Sequence, residues 1–149
     1  TLGHSFVKGR EGDFLLRKFS DYTRQIVFEL TQGMKGRDFE FVKKAVDFLK
    51  KKGCRFAIDD ISGIGSKLFL LLSFKPDFLK IDISLVKGLA HNHMHQELVH
   101  QIVELGQKIH SPIIAEGVER KKEEETIHQM GIPYAQGFHY FRPQRHLIK

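Results

Sequence analysis

Five short apolar runs punctuate this chain, and each ends on, or carries, a charged or amide side chain. Ile26, Val27 and Phe28 lead into Glu29. Arg55, Phe56, Ala57 and Ile58 lead into Asp59 and Asp60. Residues 78–83 carry Lys80 and Asp82, residues 112–115 lead into Glu116, and Tyr134 and Ala135 lead into Gln136. Between the runs the period changes to that of a helix. Phe39, Val42, Val46 and Leu49 share one helical face, in a helix starting near Asp38 and stopped by Gly53. Leu98, Ile102, Leu105 and Ile109 do the same over residues 95–109, which Ser111 and Pro112 close. Shorter helices are predicted over 67–73 and 123–130. Strands that alternate with helices predict a parallel sheet of βαβ units.

Such sheets are either open and doubly wound or closed into barrels. No G-x-G-x-x-G follows the first run, so a dinucleotide-binding open sheet has little support. The polar residues favour a TIM-like (β/α) barrel, because barrel strands bring their C-terminal ends together at the catalytic mouth. A whole barrel takes about 250 residues. The 149 residues here, with five predicted strands, read as the later part of one. The expectation is a single domain over 1–149 that lacks the first strands. Upstream sequence, a second copy or a swapped element would then complete the sheet, since an open edge invites aggregation.

Composition narrows the function classes. Charged residues at 28% and hydrophobic residues at 41% exclude a disordered chain. A net charge of +6 favours an anionic partner, but the basic residues are scattered over helices without interleaved aromatics, which argues against nucleic acid. Lys50, Lys51 and Lys52 read as a solvated helix end, and His91, His93 and His95 as a polar loop. The lone Cys54 excludes a disulfide framework and a multi-cysteine zinc site, and suits the reducing cytoplasm. The longest apolar run, residues 68–72, is far too short to insert into a membrane.

Carboxylates gathered at one mouth repel each other unless a cation sits among them. Oxygen ligands of this kind select Mg²⁺, Mn²⁺ or Ca²⁺ over zinc. Neighbouring Asp59 and Asp60 suit two metals, which together activate water for attack at phosphorus. Lys80 and Asp82 share one strand face, where a lysine holds the attacking water or neutralises phosphate charge.

These residues resemble the EAL domain family, which hydrolyses the bacterial messenger cyclic di-GMP. The matching segments are residues 26–31, Ala57 to Asp60, Lys80-Ile81-Asp82, Ala115-Glu116-Gly117-Val118-Glu119, Gln136-Gly137 and Arg142-Pro143. The resemblance implies a TIM-like barrel with a Mg²⁺ or Mn²⁺ pair at its mouth. It implies Glu29, Asp59, Asp60 and Glu116 as metal-site residues, with Asp82 in support. Lys80 would position the hydrolytic water and Glu116 would accept its proton, while Glu119 and Gln136 would shape the nucleotide pocket. The implied reaction opens one phosphodiester of cyclic di-GMP to give linear pGpG.

The likeness has three departures. The family's E-A-L motif and metal-binding Asn fall upstream of Thr1. The segment after the Asp pair reads Ile61-Ser62-Gly63-Ile64-Gly65-Ser66-Lys67 instead of F-G-T-G-Y-S-S. Gln32 stands where the family has the second glutamate of E-L-T-E. They set up the alternative expectation of a degenerate, inactive domain that binds cyclic di-GMP or a protein partner. The isolated chain is expected to be inactive, and a homodimer or a completing chain is expected as partner.

Overall fold

The computed structural model describes residues 20–30, 36–61 and 68–142. A 3-10 turn, Ser20–Gln25, precedes strand β1, Val27–Leu30. Then follow α1 (Gly36–Lys51), β2 (Arg55–Ile61), α2 (Leu68–Phe74), β3 (Phe78–Ile81), α3 (Ile83–Val86) and a 3-10 turn, Leu89–His91. The chain continues through α4 (His93–Lys108), β4 (Ile113–Ala115), α5 (Lys121–Gln129) and β5 (Tyr134–Ala135). The glycine loop after Asp60, together with Gln32 and Pro143, lies outside the described residues.

All four strand pairings are parallel, and the order is β1-β2-β3-β4-β5. Each strand therefore lies beside its sequence neighbour, with no reversal of order. A doubly wound sheet has such a reversal; a succession of β/α units in a barrel does not. The expected parallel arrangement holds, and with it the direction of every strand end.

The strands are hydrophobic on the face that meets the helices. Phe56 and Leu30 pack with Val46 and Leu49 of α1 and Phe74 of α2. Ile58, Leu79, Ile81, Ile113 and Ala115 pack with Val99 and Ile102 of α4 and Ile127 of α5. Phe28 stacks on Phe56 with ring centroids 5.6 Å apart. Phe56 is 0% exposed, and burial of such a ring stabilises the fold by roughly 1.5–3 kcal/mol. The strand residues between these point to the opposite face, as the two-residue period requires.

Several boundaries differ from the sequence reading. Helix α1 begins at Gly36, two residues before the expected Asp38. Helix α4 begins at His93, because the Asn92 carboxamide accepts the N–H groups of Met94 and His95 at 3.1 and 3.2 Å. His93 is therefore helical rather than part of the loop, and the helix expected from His95 starts two residues earlier. Lys50 is not simply solvated. Its ammonium donates to the carbonyls of Phe74, at 2.9 Å, and of Lys75, closing the end of α2. The strand expected over 78–83 stops at Ile81, since the Asp82 carboxylate accepts the Ser84 N–H at 2.8 Å and starts α3.

Candidate metal and nucleotide site

The register places Glu29 beside Ala57 and Lys80 beside Ile114. Glu29, Asp59, Lys80, Glu116 and Gln136 all lie near the C-terminal ends of β1 to β5, on the face away from the helices. Lys80 is 4% exposed and is the hub. Its ammonium lies 2.7 Å from Glu29 Oε1, 2.6 Å from Glu116 Oε1 and 3.3 Å from Asp59 Oδ1. Gln136 Nε2 donates to the same Glu116 oxygen.

A break in the β2–β3 ladder explains how two adjacent aspartates reach one site. Pairing shifts register between Ile58 and Ile61, and Asp60 takes φ +55°. In a regular strand, consecutive side chains point to opposite faces. The irregularity and the left-handed residue turn Asp60 back, and aspartate tolerates that conformation better than most residues. Carboxylate oxygens of Asp59, Asp60 and Glu116 consequently all lie within 4.8 Å of one another. Among the described residues, this is the group of His, Cys, Asp or Glu side chains close enough to share an ion. Its all-oxygen chemistry fits a hard divalent cation.

Charge on the site follows from burial and neighbours. Burial works against the Lys80 ammonium. Hydrogen bonds to Glu116 and Glu29, and the charges of Glu116 and Asp59, outweigh it and hold Lys80 well above the ordinary lysine value. Burial pushes the Glu116 carboxyl up; Lys80 pulls it back, and Asp59 and Glu29 push it up again.

Asp82 and Glu119 are not among the three carboxylates that approach within 4.8 Å of one another. Asp82 caps α3, as described above. Glu119 lies 3.9 Å from Lys87 at the rim. Sequence reasoning missed Glu123, a buried carboxylate that accepts the N–H groups of Glu119 and Arg120, both at 3.0 Å. It fixes the segment that follows Glu116. The usual signal for this device is a Ser or Thr cap three residues earlier; Arg120 stands there, so the signal is absent. His139, 3.0 Å from Glu124, was missed for want of any local pattern.

Backbone contact ties the last two strand ends together. Val118 N–H donates to Gln136 O at 3.0 Å, and His139 N–H to Val118 O at 2.9 Å. Gly137, at φ +156°, lies so close that a Cβ there would fall 2.2 Å from Val118 O. Only glycine permits that approach.

The EAL domain family matches residues 12–143. This chain belongs to the EAL domain family. It is 28% identical over 130 residues to the cyclic di-GMP phosphodiesterase PdeF of Escherichia coli K12, covering 87% of this chain and 17% of that protein. Among solved structures, the cyclic di-GMP complex of the PaMucR phosphodiesterase superposes with a TM-score of 0.79 at 29% identity, over 93% of this chain and 57% of that one. The manganese and cyclic di-GMP complex of Klebsiella pneumoniae BlrP1 gives 0.76 at 29% identity, over 90% and 35%. The TIM-like barrel architecture is thus that of EAL domains. The chain spans 16–17% of the length of the first curated relatives it matches. No helix among the described residues is long and apolar enough to cross a membrane.

Proposed function

We propose that this EAL domain forms the mouth of a cyclic di-GMP phosphodiesterase that yields linear pGpG. The observation that carries this reading is the convergence of Glu29, Asp59 and Glu116 on Lys80, with Asp60 turned into the same group. Asp59, Asp60, Glu116 and Glu29 would hold Mg²⁺ or Mn²⁺, with Asp82 supporting the segment that follows Lys80. The bound ions supply a water of lowered pKa and neutralise charge at phosphorus. Lys80 holds the attacking water, and Glu116, its carboxyl raised above the ordinary value, takes the proton. Water oxygen bonds to phosphorus, the 3′-oxygen leaves with a proton, and a 5′-phosphate remains. Gln136 orients Glu116, and with Glu119 it frames the nucleotide pocket.

In this reading the whole chain, 1–149, is one domain, working in the cytoplasm, where a lone cysteine stays reduced. Further polypeptide, from the same protein or a second copy, covers the inner face, where Phe78 is half-buried and Tyr134 exposed. The test is turnover of cyclic di-GMP by the full-length protein that carries this domain, with Mn²⁺, with Mg²⁺ and with EDTA, beside a calorimetric titration. Metal-dependent pGpG release supports the reading. Binding of cyclic di-GMP without turnover overturns it and leaves a receptor.

A further inference from the structure

Lys80 faces carboxylates of three separate segments at once. Glu29 comes from β1, Asp59 from β2 and Glu116 follows β4, all within 3.3 Å of one ammonium. That side chain is almost entirely shielded from water. Asp59 and Glu116 are largely shielded and Glu29 is half exposed, and carboxylates this close repel one another unless a positive charge lies among them. Here that charge is covalently part of the chain. The Glu116 oxygen it holds also accepts from Gln136, and it belongs to the group of three that approach one another closely enough for an ion. A divalent cation taking Glu116 and Asp59 as ligands would meet an ammonium already bonded to one and beside the other. Like charges a few ångströms apart in a partly shielded site oppose each other.

We propose that Lys80 is the resident counter-ion of this site: it holds the metal-free carboxylates together and weakens the binding of divalent metal, which must displace it from Glu116. This inference rests on reading the cluster as a metal site, and it adds a role for Lys80 before any substrate arrives. The rival role is a supporting one, in which Lys80 orients Glu29 and Glu116 as ligands. Removing a supporting partner weakens metal binding, typically ten- to a hundredfold. Removing a competing charge does the opposite, so the two roles differ in sign.

The experiment compares the wild-type chain with Lys80→Met and Lys80→Gln, without nucleotide. Free Mn²⁺ is followed by electron paramagnetic resonance, and thermal unfolding is recorded in EDTA and in Mn²⁺. Both variants should bind Mn²⁺ at least about tenfold more tightly than wild type. They should melt lower than wild type in EDTA and recover more when Mn²⁺ is added. A Lys80→Met chain that folds only with Mn²⁺ supports the proposal. Equal or weaker Mn²⁺ affinity in the folded variants overturns it, as does absence of Mn²⁺ binding by every form. If neither variant folds, ¹⁵N-labelled lysine in the wild type decides. The Lys80 ammonium signal should move on saturation with Mg²⁺, and a signal that stays in place overturns the proposal. None of these readouts needs catalysis. Tighter Mn²⁺ binding by the variants, with no pGpG release by the full-length protein, would sink the phosphodiesterase reading and leave the counter-ion standing.

Discussion

On β3, Leu79 and Ile81 face the helices and are wholly buried among aliphatic side chains, while Lys80 between them faces the other way into carboxylates. On β2, Phe56 and Ile58 repeat the first environment and Asp59 the second. The helix-facing side gains free energy from removing apolar surface from water. The other side gathers like charges, which oppose folding unless compensated. One strand therefore serves two opposed demands, and the two-residue period lets them be met independently except where the ladder breaks.

The comparison can be attacked first from the helix-facing side. Phe56→Ala leaves a cavity beneath α1 and α2 and should cost roughly 3–5 kcal/mol, read as a lower urea midpoint. Activity per folded molecule should stay at the wild-type level; a parallel fall in activity would show that the two faces are coupled. Asp59→Asn probes the other side. It removes the charge of a proposed metal ligand with little change of shape, so metal-dependent pGpG release by the full-length protein should drop more than about a hundredfold. The melting temperature in EDTA should hold or rise, because one repelling charge has gone. Should turnover survive, the carboxylate group is not the metal site.

Gly137→Ala tests a point where the two sides meet. The added methyl must push on the Val118 backbone, whose neighbours hold both Glu116 and Gln136. We expect a loss of about 2 kcal/mol in stability and, alongside it, a fall in turnover on the order of tenfold. The smallest effect concerns Cys54, which is buried and whose thiol is raised by that burial. A raised thiol contributes stability that is present below its ordinary value and is lost as pH climbs through the higher folded value. At pH 8 the native thiol should react with a disulfide reagent far more slowly than the urea-unfolded one; equal rates would place Cys54 at the surface.

Much of this was legible in the residues. Glu29, Asp59, Lys80, Glu116 and Gln136 could be picked out because each sits in or just after an apolar run, and parallel strands send those ends one way. The boundaries of α1 and α4 came out within two residues because their apolar faces repeat with a helical period. The register shift at Asp59 and Asp60 was not legible, since it depends on how β2 meets β3 across the sheet. The capping role of Asp82 was hidden by its place in a β-like apolar run. The ion-dipole contact of Lys50 with α2 and the closeness of Gly137 to Val118 join segments 24 and 19 residues apart, and no local pattern reports such meetings.

The strictly sequential strand order also bears on how the molecule is made. Every new strand to leave the ribosome finds its partner already present as the strand before it, so the sheet can grow in the direction of synthesis with short loop closures. The acidic ends accumulate in the same direction. Glu29 and the two aspartates arrive before Lys80, and Glu116 and Gln136 arrive last. A nascent chain thus passes through a stage in which carboxylates are already aligned and their lysine has only just emerged. The span between Asp60 and Lys80 is twenty residues, about one to four seconds of translation at ordinary rates of roughly 5–20 residues per second. During that interval, cellular cations and water are the counter-charges at hand.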